Sequence, residues 1–235
     1  MTGLDRTSLR GVWGTVLLPL DASGQIDVGR LRHELDVLTA AGLDGIYAHG
    51  TAGEFHELDE DEYDLVSALV AEHATMAQVP FQLGAGHMSA RLSLDRIRRA
   101  ARLGPGAIQV ILPDWVPIQP DEAVAALAGL AAAAGDIPIV LYNPPHAKTR
   151  LDAAALLRAA AEVPQLIGIK VAGGDTGWYQ AMRPVTETLA VFVAGHTLAS
   201  GLAQGAAGSY SNVACLSPAG AVAWSAMMRS DPDRA

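Results

Sequence analysis

Leu166-Ile167-Gly168-Ile169-Lys170 is an apolar run that closes on a single lysine. A strand without polar alternation is buried on both faces, as in a parallel sheet covered by helices. The amine at its end therefore lies beside a low-dielectric interior, and burial disfavours the ammonium form. Lowering a lysine from about 10.4 to about 7 requires roughly 3 pKa units, or about 4 kcal/mol of differential destabilisation of the cation. A neutral amine is a nucleophile and condenses with ketones to a Schiff base. On these five residues alone, a lysine that snorkels to solvent is the simpler reading. The surrounding chain reverses that preference.

Working outward, each apolar run is followed by a segment of helical spacing. After a short tail, Met1–Arg10, strands are expected over Gly11–Leu20, Gly45–His49, Pro80–Leu83, Ala107–Leu112, Ile137–Tyr142, Leu166–Lys170, Leu189–Ala194 and Gly208–Ser211. Asp21–Gly24 is a turn signal. Helices are expected over Val28–Ala41, from Asp59 (capped with Glu62) to about His73, and over Ser89–Leu103. Further helices run from Pro120 to Gly135 and over Leu151–Ala161, Trp178–Glu187 (despite Pro184), Leu198–Gln204 and Pro218–Met228. Strands alternating with helices imply a parallel sheet with crossover connections. Eight such units favour an α/β architecture of one closed (β/α)8 TIM barrel, a single domain over residues 1–235. An open doubly wound sheet is the alternative, and its glycine-rich dinucleotide fingerprint is missing.

Composition narrows the function. Half the residues are hydrophobic, enough for a large core. The net charge of −9 argues against non-specific nucleic-acid binding. One cysteine, Cys215, excludes an intrachain disulfide framework and suits a cytoplasmic protein. Neither a signal pattern nor an apolar run of membrane-spanning length is visible, so no membrane partner is expected.

In a barrel of this kind the chemistry lies at the C-terminal ends of the strands. Those ends carry His49-Gly50-Thr51-Ala52-Gly53-Glu54, His87, Asp114-Trp115, Tyr142-Asn143-Pro144-Pro145-His146, Lys170, His196 and Tyr210. Gly50–Glu54 sets small residues between glycines, which lets backbone N–H groups approach a carboxylate. Tyr142 ends an apolar strand, and its phenol could move protons to and from a bound substrate. Alone, Tyr142 reads more simply as an amphipathic cap on the barrel. Lysine, tyrosine and glycine loop on one rim form a coherent set for a 2-oxo acid.

These motifs resemble the class I aldolase superfamily of dihydrodipicolinate synthase and N-acetylneuraminate lyase. Gly50-Thr51-Ala52-Gly53-Glu54 resembles its GTTGE or GSTGE loop, and Tyr142-Asn143-Pro144-Pro145 its YNxP motif. Gly168-Ile169-Lys170 resembles its GIK segment, and Gly205–Ser211 its eighth-strand GxxGxxS. The resemblance implies a lyase in which Lys170 forms the imine with pyruvate or another 2-oxo acid. It implies Tyr142 as general acid and base, with Thr51 and the Ala52 amide on the carboxylate. Gly50 and Gly53 belong to that loop, and Gly208 and Tyr210 would shape the pocket. No metal or organic cofactor is implied, and a homo-oligomer, dimer or tetramer, is expected.

Departures from the family pattern are informative. Ala52 replaces a hydroxyl residue, and Trp115 stands where the synthase has a tyrosine after the fourth strand. Trp115 can only donate a hydrogen bond. The synthase's arginine after YNxP has no counterpart, and Lys148 or Arg150 is offered in another register. Aldol cleavage, condensation or dehydration of a sugar-acid-like or aromatic 2-oxo acid is therefore expected in preference to the lysine-pathway reaction. Family members carry further helices after the barrel, whereas this chain ends soon after its eighth, so those extra C-terminal helices are expected to be largely absent. Two other classes stay open: a non-catalytic 2-oxo-acid-binding barrel, and a metal-dependent barrel hydrolase built on His49, His87, His146 and His196.

Overall fold

The structure, a computed structural model, describes residues 3–231 and residue 234. Met1, Thr2, Pro232, Asp233 and Ala235, which fall in the expected tail and at the chain end, lie outside the described residues. Eight parallel strands close a barrel in sequence order. They are β1 (Gly11–Thr15), β2 (Gly45–Ala48), β3 (Phe81–Gly84), β4 (Ala107–Val110), β5 (Ile139–Tyr142), β6 (Leu166–Lys170), β7 (Ala190–Ala194) and β8 (Gly208–Ser211). The outer ring is α1 (Val28–Ala40), α2 (Glu60–Ala77), α3 (Ala90–Arg102), α4 (Pro120–Ala134), α5 (Ala153–Glu162), α6 (Thr176–Thr188), α7 (Leu198–Ala203) and α8 (Pro218–Ser230).

The strand period of two sorts side chains between two cores. Outward residues such as Ile46, Leu83, Ile108, Leu141, Ile169 and Val193 pack under the helices. Inward residues include Trp13, Tyr47, Ala107, Val140, Phe192 and Tyr210. The sixth strand, which reads as apolar throughout, thus splits: Ile169 joins the outer core, while Gly168 and Lys170 stand at inward positions.

Within the expected tail, Leu4 and Leu9 belong to the barrel floor. Leu9 is completely buried with Trp13, Val140 and Phe192. The Leu4 amide donates to the Gly106 carbonyl at 2.9 Å. Two glycines make room for these leucines: a Cβ at Gly106 would fall 2.9 Å from Leu4, and one at Gly168 2.9 Å from Leu9. Gly208 begins β8 beside Gly11, and a Cβ there would fall 2.1 Å from the Gly11 carbonyl oxygen. Gly208→Ala is therefore expected to strain barrel closure by about 1–3 kcal/mol, measured as a lowered urea midpoint.

Boundaries differ from expectation for local reasons. β1 stops at Thr15, because the chain beyond turns into a small hairpin in which Leu20 bridges Ile26. α2 runs four residues past His73, ending where Gln78 adopts a left-handed conformation at φ 57°. The Asp59–Glu62 capping box is present. α6 tolerates Pro184. No helix among the described residues is long and apolar enough to cross a membrane.

Candidate active site

Lys170 is the last residue of β6, paired with Tyr142 across the β5–β6 ladder. Its amine lies 4.3 Å from the centre of the Tyr142 ring, 4.9 Å from that of Tyr47 and 5.5 Å from that of Tyr210. Burial lowers its pKa to about 8. Aromatic faces attract a cation, so this cage accommodates either the ammonium or a positively charged imine. Near pH 8 about half the molecules would carry the neutral amine, against roughly 0.3% for a lysine at its ordinary pKa.

Above the amine, Gly50 leads into a 3-10 turn, Thr51–Gly53. A Cβ at Gly50 would meet the Tyr47 ring at 2.6 Å, and one at Gly53 the Val16 carbonyl at 2.7 Å. Only glycines let this loop lie so low on the strand ends. Thr51 Oγ1 and the Tyr142 hydroxyl are 3.4 Å apart. The chain after Tyr142 is fixed by Asn143, whose side chain accepts from the Leu151 amide at 3.1 Å and donates to its carbonyl at 2.9 Å.

A cavity of about 180 Å³ opens over Tyr142 and Thr51. Phe55, Met88, Ile111, Leu112 and Pro144 form its apolar walls. His56, His87, His146 and Asp114 supply polar edges, with no lysine or arginine in the lining among the described residues. His87 Nδ1 accepts from the Ser89 amide at 2.8 Å, which leaves any proton of a neutral ring on Nε2.

Lys170, Tyr142 and Thr51 are thus brought together, with Tyr210 below them and Gly50 beside Tyr47. Other expected residues fall elsewhere. Gly208 does not reach the pocket, because it starts its strand at the floor. Trp115 is 71% exposed and does not line the cavity. Lys148 and Arg150 line a separate cleft of about 540 Å³ with Asn143, Val171 and Trp178, and Lys148 is held there with Nζ 2.6 Å from the Trp115 carbonyl and its amide on the Asp114 carboxylate. Ala52 is exposed in the 3-10 turn. His49 leaves the strand at φ 60°, which throws its ring outward against α2. There it contacts Ser67 at 2.8 Å and stacks on Tyr63. Burial, and then the Arg96 cation, lower its pKa to about 3. Among the described residues no three His, Cys, Asp or Glu side chains gather as metal ligands would.

Several structural partners escape a strand-end reading. Tyr47, Gln82 and Gln109 sit one layer down, where Tyr47 donates to Gln109 and Tyr210 donates to Gln82 at 2.8 Å. The period of two within β2, β3 and β4 was the available signal. Arg96 of α3, 1% exposed, holds the loop after β2 from behind. It donates to the carbonyls of Phe55, Leu58 and Gly86, pairs with Glu60, and lies 4.6 Å over the Tyr63 ring.

A model of the dihydrodipicolinate synthetase family matches residues 8–229. The chain is 30% identical over 215 residues to an uncharacterised DapA-like lyase of Halobacterium salinarum strain R1, covering 91% of this chain and 70% of that one. It is 32% identical over 177 residues to the 4-hydroxy-tetrahydrodipicolinate synthase of Stenotrophomonas maltophilia strain K279a, covering 74% of this chain and 58% of the synthase. Among solved structures, YagE from E. coli K12, a dihydrodipicolinic acid synthase family protein in complex with pyruvate, superposes with a TM-score of 0.87. It is 23% identical, with 95% of this chain and 76% of that one covered, so that likeness concerns the fold alone.

Proposed function

We propose that this chain, which belongs to the dihydrodipicolinate synthetase family, is a Schiff-base-forming lyase that uses Lys170 on pyruvate or another 2-oxo acid. The observation that carries the reading is an amine with a depressed pKa held 4.3 Å from the Tyr142 ring, beneath a glycine loop. The neutral amine attacks C2 of the keto acid while Tyr142 protonates the carbonyl oxygen and takes back a proton from nitrogen. Tyr142 then gives its proton to the departing hydroxyl, which leaves as water, and an iminium and a phenolate remain. In cleavage, the phenolate accepts the C4 hydroxyl proton as the C3–C4 electrons flow into the iminium to form the enamine. The Thr51 hydroxyl at 3.4 Å supports Tyr142 in these transfers. No cofactor is required, since the lysine imine is itself the electron sink.

The cavity supports a partner that is aromatic or hydroxylated in preference to a second carboxylate. Its walls are largely apolar, its hydrogen-bonding groups are imidazoles and the hydroxyls of Thr51, Tyr142 and Thr149, and its carboxylate, Asp114, would repel another anion. Borohydride reduction with pyruvate is expected to leave a mass increase on the Lys170 peptide. Tyr142→Phe should slow turnover about 100-fold while still permitting some trapping. A folded protein that binds 2-oxo acids but is never trapped would be a non-catalytic binding barrel, and the reading would be withdrawn.

A further inference from the structure

The chemistry above leaves two buried amides unused. Gln82 and Gln109 are 0% and 3% exposed, and the Nε2 of each lacks a hydrogen-bond partner among the described residues. Buried donors are almost always satisfied, by protein or by an ordered water. The two are not equivalent. Gln109 lines a small void of about 10 Å³ with Tyr47, Gly50, Ile111 and Tyr142. That is about the size that holds one water, which needs two to four polar partners. The polar side chains in its lining are those of Gln109, Tyr47, Tyr142 and His49; His49 Nε2 is already engaged with Ser67, which leaves the Gln109 amide and the two phenol hydroxyls as the partners. Gln82 does not line this void, and its phenol, Tyr210, is the most distant of the three around the lysine.

We propose that Gln109 is a positioning residue for Tyr142: its Nε2 holds one water in this void, and the water donates a hydrogen bond to the Tyr142 hydroxyl oxygen. The Tyr47 hydroxyl fixes the amide by donating to its Oε1, so the NH2 group is left to hold the water. Gly50 keeps the arrangement open, since a Cβ there would lie 2.7 Å from the Tyr47 hydroxyl oxygen. The water's value is greatest when Tyr142 has given up its proton, because a hydrogen bond to a charged acceptor is worth more than one to a neutral acceptor. The role rests on the reading of Tyr142 given above.

Pyruvate alone tests it, by exchange of its methyl protons in deuterium oxide followed by NMR. Gln109→Leu is expected to slow exchange at saturating pyruvate roughly 10- to 100-fold. The pyruvate concentration that half-saturates borohydride trapping on Lys170 should stay the same, a split that a merely structural defect would not produce. Tyr47→Phe, which frees the amide from its anchor at nearly constant volume, should slow exchange in the same direction and carries the test if Gln109→Leu does not fold. Folded variants that exchange at the wild-type rate, with normal trapping, overturn the role of Gln109 alone. A wild-type protein that gives no adduct overturns the imine reading and this role with it. A crystal structure with an ordered water between Gln109 Nε2 and the Tyr142 hydroxyl supports the proposal, and a dry void overturns it.

Discussion

Lys170→Ala is expected to lower turnover by roughly 10⁴-fold or more, because no other group can form the covalent intermediate. The same site should become more stable when its amine is removed. Burial holds the folded pKa at about 8, below the 10.5 of an ordinary lysine. Between those values the unfolded chain binds the proton that the folded chain has lost, so stability rises as pH climbs from about 8 toward 10.5. Below pH 8 both states are protonated, and the full penalty of burying the cation is present. At pH 7 that penalty is up to about 3 kcal/mol, less whatever the three aromatic faces return. Lys170→Met, which fills the volume without the charge, is therefore expected to raise the urea midpoint at pH 7 while abolishing trapping. A variant that loses activity and also loses stability at pH 7 would show that the amine is not held at a cost.

The second large effect is structural. Arg96 lies between α2, α3 and the strand ends, where it serves three carbonyls and Glu60. Arg96→Leu would leave those acceptors buried without a donor and remove the cation over Tyr63, at an expected cost of about 3–5 kcal/mol. Arg96→Lys keeps the charge but not the planar fork, and should recover less than half of that loss. Urea unfolding measures both. The Phe55 and Leu58 carbonyls belong to the chain just beyond the Thr51 turn, so surviving Arg96→Leu protein should also turn over more slowly. A change within about 0.5 kcal/mol, typical of a surface substitution, would mean that Arg96 is not the anchor described here.

The barrel was legible because most strands are short, largely apolar runs and turn or capping residues mark the connections. Leu166–Lys170 and Gly208–Ser211 are read to the residue. That Lys170, Tyr142 and Thr51 meet was legible because a strand's last inward position and its following loop share one rim. What failed depends on backbone direction. His49 follows β2 and would share the rim if the strand continued, but a positive φ turns it outward. Trp115 and Lys148 lie in loops whose direction is set by mutual contacts, including the Lys148 amine 5.3 Å from the Trp115 ring. Gly208 is expected near the pocket only from the family resemblance; its strand bounds already set it at the start of β8, at the floor. The alternation within β3 and β4 puts Gln82 and Gln109 on the inward face, but nothing local says that each meets a phenol there.

Leu4 and Leu9 seal the far end of the barrel, and a blind-ended vessel imposes a queue. On the reaction proposed above, the small keto acid would have to reach the lysine before a larger aldehyde took its place at the mouth. In the reverse direction of that reaction the aldehyde would leave before the keto acid. The sequence of arrivals and departures is thus written into the stopper at the bottom, far from any atom that reacts.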